Sequence, residues 1–108
     1  MIYVKINEFL YPATIHGRLS DTEWDGRETK SITLTMDYTT AAELFINGLV
    51  WSIVEDSNGT VKEYDNSTFI LAGDLTDHRN GTVTVKMGRL TPLEEAYEIL
   101  FGGLEDDE

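Results

Sequence analysis

Three features predict a β-rich α+β fold: alternating apolar residues, recurring Asn-Gly and Asp-Gly pairs, and two helix capping boxes. The expected architecture is about seven antiparallel strands in meanders and hairpins, closing as a sandwich or small barrel. Two short helices are expected at about 40–47 and 92–101. Asn-Gly and Asp-Gly mark tight hairpins because a two-residue type I′ turn needs positive φ at both central positions. Such pairs stand at Asp25-Gly26, Asn58-Gly59 and Asn80-Gly81, each between strand-like runs.

The first strand is expected over Met1 to Asn7. Ile2, Val4 and Ile6 share one face, and Tyr3 and Lys5 the other. A tight turn at Asn7-Glu8 pairs Ile6 with Phe9, Val4 with Tyr11 and Ile2 with Ala13. The second strand then runs from Phe9 towards Trp24 with odd residues inward. Pro12 falls on the other parity and predicts a kink there, since strand proline belongs at an edge or bulge.

Ala13 to Tyr38 reads as one long hairpin around Asp25-Gly26. A two-residue turn sets Trp24 opposite Arg27, Leu19 opposite Ile32, Gly17 opposite Leu34, Ile15 opposite Met36 and Ala13 opposite Tyr38. Opposed residues share a face. This gathers Ala13, Ile15, Leu19, Ile32, Leu34, Met36 and Tyr38 on the core side. Thr14, His16, Arg18, Thr33, Thr35 and Asp37 take the other side. A slip of one residue would scramble the sorting. Beyond Leu19 the expected pairs are polar: Thr22 with Thr29, Asp21 with Lys30, and Glu23 with Glu28. Such a tip has little to bury, so it is expected to project as a mobile arm.

Thr40-Ala41-Ala42-Glu43 reads as the capping box of the first helix, and Asn47-Gly48 as its stop. Two turns of helix need the sheet for support. Strand four is expected over Leu49 to Glu55, with Leu49, Trp51 and Ile53 on one face. The Asn58-Gly59 turn then sets Glu55 against Lys62 and Ile53 against Tyr64. Asp65-Asn66-Ser67 predicts a bend.

The last hairpin spans Thr68 to Arg89. A two-residue turn would oppose Leu75 to Lys86. A three-residue loop, Arg79-Asn80-Gly81, instead opposes Leu75 to Val85, Gly73 to Met87 and Asp77 to Val83. Its inward face is Phe69, Leu71, Leu75, Val83, Val85 and Met87. Core consistency selects the longer loop, read as a type I turn with Gly81 as a bulge. In the second helix Thr91 caps, Pro92 takes the first position and Glu94 completes the box. Leu93, Ala96, Tyr97 and Leu100 form its apolar stripe, and Gly102-Gly103 ends it. Residues 1–103 make one domain by size, and 104–108 an acidic disordered tail.

Composition narrows the function. The 108 residues carry 20 acidic and 8 basic side chains, a net charge of −12. That field repels nucleic-acid phosphates and disfavours DNA or RNA binding. The chain has no cysteine, which excludes disulfides and thiolate-bound metals. No apolar run is long enough to cross a membrane, and no basic start precedes an apolar core as in a signal peptide.

Catalytic and metal chemistry find little footing. His16 lies on the polar face of the hairpin. Asp74, Asp77 and His78 are close in sequence but match no zinc spacing. Asp56-Ser57-Asn58-Gly59 is too short for a calcium loop. No serine sits in a nucleophile elbow, and no glycine-rich loop carries a phosphate-binding lysine. Three Asn-x-Ser/Thr sequons, at Asn58, Asn66 and Asn80, are explained by turn chemistry. The expectation is a non-enzyme with no catalytic residue, cofactor or metal. Trp24 and Arg27 stand out as candidate protein-contact residues, because tryptophan and arginine on a polar arm are the types that dominate interface energies.

The run Thr76 to Gly88, Tyr11 to Ile15, Trp24-Asp25-Gly26-Arg27 and the strand Ile32-Thr33-Leu34 resemble small uncharacterised phage and prophage proteins of Gram-positive gut bacteria. The similarity spans about residues 1–100. Those proteins carry Asn-Gly where this chain has Asn7-Glu8, and longer insertions near 56–63. The shared motifs are structural turns, so the resemblance carries over no catalytic residue. It implies a phage origin and a virion role such as the tail. The expected function is a non-enzymatic phage structural or assembly protein working through protein–protein contacts, with other phage proteins or copies of itself as partners. It would be located in the bacterial cytoplasm during assembly, or in the virion. The alternative is an acidic host-targeting inhibitor that imitates DNA charge.

Overall fold

The computed structural model describes residues 1–97 and 99–100. Ten elements follow one another: β1 (Ile2–Ile6), β2 (Phe9–Asp21), a 3-10 turn (Thr22–Trp24), β3 (Arg27–Thr35), α1 (Tyr38–Leu44), β4 (Ser52–Ser57), β5 (Thr60–Asp65), β6 (Leu71–Asp77), β7 (Thr82–Gly88) and α2 (Pro92–Tyr97). The fold class is the one expected, β-rich α+β with seven antiparallel strands and two short helices. They form one sheet in the order β5-β4-β1-β2-β3-β7-β6. The order has two ends, so the expected closure into a sandwich or small barrel is replaced by one open sheet with β5 and β6 as its edges.

β2 is the hinge of this sheet. Its first residues, Phe9 to Pro12, pair with β1, including the expected Ile6–Phe9 and Val4–Tyr11 pairs. From Ala13 onward it pairs with β3. Pro12, where a kink was expected, is thus the last residue of β2 before it changes from one ladder to the other. Tyr3–Pro12 is the last pair with β1, so the expected Ile2–Ala13 pair does not form. Ile2 instead pairs with Glu55 of β4.

The long hairpin has the expected strands but another register. Ala13 pairs with Leu34 rather than Tyr38, Ile15 with Ile32 rather than Met36, and Gly17 with Lys30 rather than Leu34. The slip is four residues along β3 (Met36 to Ile32). An even slip preserves every face. Ile32 and Leu34 are accordingly buried, with Ala13, Ile15 and Met36 packed against them. The slip arises at the tip. Thr22 to Trp24 coil into a 3-10 turn capped by the Asp21 carboxylate, which accepts from the Glu23 amide. Asp21, not Trp24, then pairs with Arg27 across a bulge after Arg18. Leu19, expected in the core, is 86% exposed. Tyr38 is also exposed and opens α1.

The other corrections are local. α1 starts earlier than expected because Asp37, not Thr40, caps it; the Asp37 carboxylate accepts from the Thr40 amide at 2.7 Å. Asn47, expected only to stop the helix, accepts from the Ala72 amide and ties the helix exit to β6. β4 begins at Ser52 rather than Leu49, yet Leu49 and Trp51 are buried as expected. The β4–β5 pairs Glu55–Lys62 and Ile53–Tyr64 form as read. In the last hairpin Leu75–Val85 and Asp77–Val83 form, but a bulge sets Ala72, not Gly73, opposite Met87. The loop has the expected length, with positive φ at Arg79 as well as Gly81. A type I turn has negative φ at its first central residue, so this loop is a different one.

One core gathers Val4 and Ile6 of β1, Ile32 and Leu34 of β3, Val83, Val85 and Met87 of β7, and Ala41, Phe45, Trp51 and Phe69. α1 itself packs on β6 and β7. The Trp51 indole N–H donates to the Phe69 carbonyl at 3.1 Å, so its one polar atom is satisfied inside the core. Asn66, in the expected bend, is 2% exposed. Its amide donates to the Trp51 carbonyl, its side-chain N–H to the Tyr64 carbonyl, and its side-chain oxygen accepts from Lys30. The capping box of α2 forms as read. The Thr91 amide donates to Glu94 and the Glu94 amide to the Thr91 hydroxyl. Its apolar stripe does not reach the core, and Leu93 is 82% exposed. The glycine stop at 102–103 and the acidic tail lie outside the described residues.

Candidate functional site

Trp24 and Arg27 are brought together, but not on a projecting arm. The 3-10 turn folds the tip of the β2–β3 hairpin down over β6 and β7. The indole lies on Gly73 and Gly88. A Cβ at Gly73 would stand 2.6 Å from Trp24 Cζ3, and one at Gly88 would stand 2.8 Å from the same atom. The two glycines leave the flat space that the ring fills. The Arg27 guanidinium stacks on that ring at 4.9 Å from its centroid, in cation–π contact.

Arg27 is itself buried. Its guanidinium makes a forked pair with Glu94, Nη1 to Oε1 at 2.5 Å and Nη2 to Oε2 at 3.0 Å, and donates to the Arg89 carbonyl at 3.1 Å. A bidentate arginine–carboxylate pair is among the stronger charge-assisted contacts. The pair holds the Glu94 carboxyl at about pKa 2, helped by the Thr91 amide, and raises the Arg27 pKa in turn. Glu94 thus closes its own capping box and anchors α2 to the hairpin tip.

A second polar group lies under the tip. Asp21 is fully buried. Its carboxylate accepts from Lys86 Nζ at 2.8 Å, from the Thr29 hydroxyl at 3.2 Å and from the Glu23 amide at 3.0 Å. The Lys86 bond first, then the Glu23 amide and Thr29 hydroxyl, hold its pKa below the usual carboxylate value against the opposing effect of burial. The expected pairs Thr22–Thr29, Asp21–Lys30 and Glu23–Glu28 are therefore replaced. The tip is not a free arm but a lid, closed by tryptophan stacking and two ion pairs, each with one buried partner, Asp21 or Arg27. Sequence reading found Trp24 and Arg27 but missed Asp21, Lys86, Gly73, Gly88 and Glu94 as their partners. All five are distant in sequence from Trp24 except Asp21, and no local pattern joins them.

The exposed hairpin end is a different one. All six residues of β5 are exposed, and so are Asp56 and Ser57 at the end of β4. Among the described residues β5 pairs only with β4, so its outer edge is open. The opposite edge, β6, is partly occupied: the Ala72 amide is taken by Asn47, and the Ile70 carbonyl just before it by the Gly48 amide. β6 also contains a bulge after Ala72. The histidines stand apart: His16 is exposed on β2, and His78 meets the Thr84 hydroxyl at 2.7 Å. Among the described residues no group of three or more His, Asp or Glu side chains is placed to hold a metal ion, and no helix is long and apolar enough to cross a membrane. Comparison with family models, with curated proteins and with solved structures finds no match in any of the three.

Proposed function

We propose that this chain is a non-enzymatic phage structural or assembly protein that works through protein–protein contacts, the tail being one place for it. The observation that carries the reading is the open edge of β5, a strand whose six residues are all exposed. Native sheets usually cover, shorten or bulge their edges, because unpaired amides invite another strand. The phage origin is supported by the turn motifs around Trp24 to Arg27 and Thr76 to Gly88. The charge-mimic alternative has less support. A mimic needs rows of free carboxylates, whereas Asp21, Glu28, Glu63 and Glu94 are tied to Lys86, Arg89, Lys5 and Arg27.

The test is co-sedimentation. The tagged protein is expressed during prophage induction, and particles are banded on a density gradient. The expected result is protein in the particle or in an assembly intermediate, at fixed stoichiometry to a structural component. Protein found only at the top of the gradient, as a free monomer at every stage, would sink the proposal.

A further inference from the structure

We infer that the β5 edge accepts an extended basic segment of another protein as an added antiparallel strand, rather than a second copy of this chain. The inference rests on the protein–protein reading above and names the surface and the partner's chemistry.

The free amides can be assigned. In an antiparallel ladder alternate residues bond the neighbour, and the residues between them point N–H and C=O away. The Asn66 amide donates to the Trp51 carbonyl, so those two form a bonded pair. Two residues at a time, the register makes Ile53–Tyr64, Glu55–Lys62 and Ser57–Thr60 the bonded pairs of the hairpin. Val61, Glu63 and Asp65 therefore aim their backbone groups outward from the sheet. Their side chains share one face with Lys5, which holds Glu63 at 3.2 Å.

A second copy fits this edge poorly. Two identical antiparallel strands are related by a two-fold axis normal to the sheet, so some residue must face itself or its symmetric neighbours. An axis at Lys62 opposes Lys62 to Lys62, and one at Glu63 opposes Glu63 to Glu63. An axis at Tyr64 sets Glu63 against Asp65 twice. An axis at Val61 leaves only residues 60–62 to pair, because the turn at Asn58-Gly59 has positive φ and ends the strand. Like charges directly opposed are destabilising.

A basic strand meets none of these obstacles. The hairpin carries Glu55, Asp56, Glu63 and Asp65 against a single Lys62. The complementary segment, read antiparallel, has basic residues opposite Asp65 and Glu63 and an apolar one opposite Val61. A β-branched residue sits opposite Tyr64 and a neutral one opposite Lys62. Main-chain bonds supply affinity and the alternating side chains supply selection.

The test uses the full chain and a capped synthetic peptide reading Lys-Val-Lys-Thr-Val. Amide shifts and hydrogen exchange are followed by NMR. At saturating peptide the amides of Val61, Glu63 and Asp65 should shift and exchange about tenfold more slowly, while those of Lys62 and Tyr64 keep their existing protection. Val61→Pro removes an outward N–H without touching the β4 ladder, and it should abolish the effect at Glu63 and Asp65. Glu63→Lys provides a second variant that keeps every backbone group, and should weaken the peptide about fivefold or more. Undiminished binding in both variants, binding at other residues, or no shift with the basic peptide overturns the inference. So does a concentration-dependent dimer that protects the same amides without peptide. If the peptide fails while the protein still bands with particles, the assembly reading stands and β5 is not its contact.

Discussion

One methyl group at Gly73 asks whether Trp24 is a lid. A Cβ there would come within 2.6 and 2.8 Å of Trp24 Cζ3 and Cη2, and within 3.2 Å of the Lys86 carbonyl oxygen. Carbon atoms in contact prefer about 3.5–4.0 Å, so the indole must retreat by about 1 Å. That is enough to forfeit about a quarter to a half of its contact energy with β6 and β7. Gly73→Ala should therefore cost about 1–3 kcal/mol, the usual range for overpacking. Trp24→Ala should cost about 2 kcal/mol, less than a fully buried tryptophan because the ring is half-buried. In the Trp24→Ala background the added methyl no longer meets the ring but still meets the Lys86 carbonyl oxygen at 3.2 Å, so Gly73→Ala should then cost about 1 kcal/mol or less. The coupling between the two positions is about 1–2 kcal/mol. Urea unfolding followed by far-UV circular dichroism measures all four corners of the cycle. Strict additivity, or a Trp24→Ala variant as stable as the parent, would show that the ring does not rest on the glycines and that the tip is a free arm.

Acid should loosen the anchor of α2. The folded Glu94 carboxyl is depressed from 4.5 to about 2. A depressed acid contributes stability that is present above its unfolded value and is lost as pH falls from about 4.5 through about 2. Glu94→Gln should flatten that part of the stability profile relative to the parent, measured by urea midpoints from pH 6 down to about 2; parallel profiles would count against the pair. Ile32→Ala should cost about 3 kcal/mol, since Ile32 has no exposed surface, while Leu19→Ala should stay within about 0.5 kcal/mol; thermal melts rank them, and the reverse order would refute the register. A gel-shift titration should detect no duplex DNA binding at physiological salt, because a net charge of −12 gains nothing from counterion release; a salt-sensitive shift at micromolar protein would contradict this.

Alternation determined which side chains face the core in the middle of the long hairpin, at Ala13, Ile15, Ile32, Leu34 and Met36, but not at Phe9, Leu19 or Tyr38, which were expected inward and are exposed. The central part survived a four-residue slip because the side-chain period is two. The turn pair Asn58-Gly59 and the capping box at Thr91 to Glu94 were likewise legible, since each is closed by atoms within a few residues. The tip of the β2–β3 hairpin was not. Two-residue logic at Asp25-Gly26 competes there with an Asp21 cap that creates a 3-10 turn, and local energies of this size do not decide between them. Tertiary partners decide: Lys86 and Thr29 hold the Asp21 carboxylate, Glu94 holds Arg27, and Gly73 and Gly88 make room for the indole. Which hairpin end is exposed was hidden for the same reason. The β2–β3 tip has β6 and β7 beneath it, whereas β5 is last in the sheet and, among the described residues, has a neighbour on one side only. Strand order is a property of long-range pairing, and nothing in the six residues Thr60 to Asp65 states where the sheet ends.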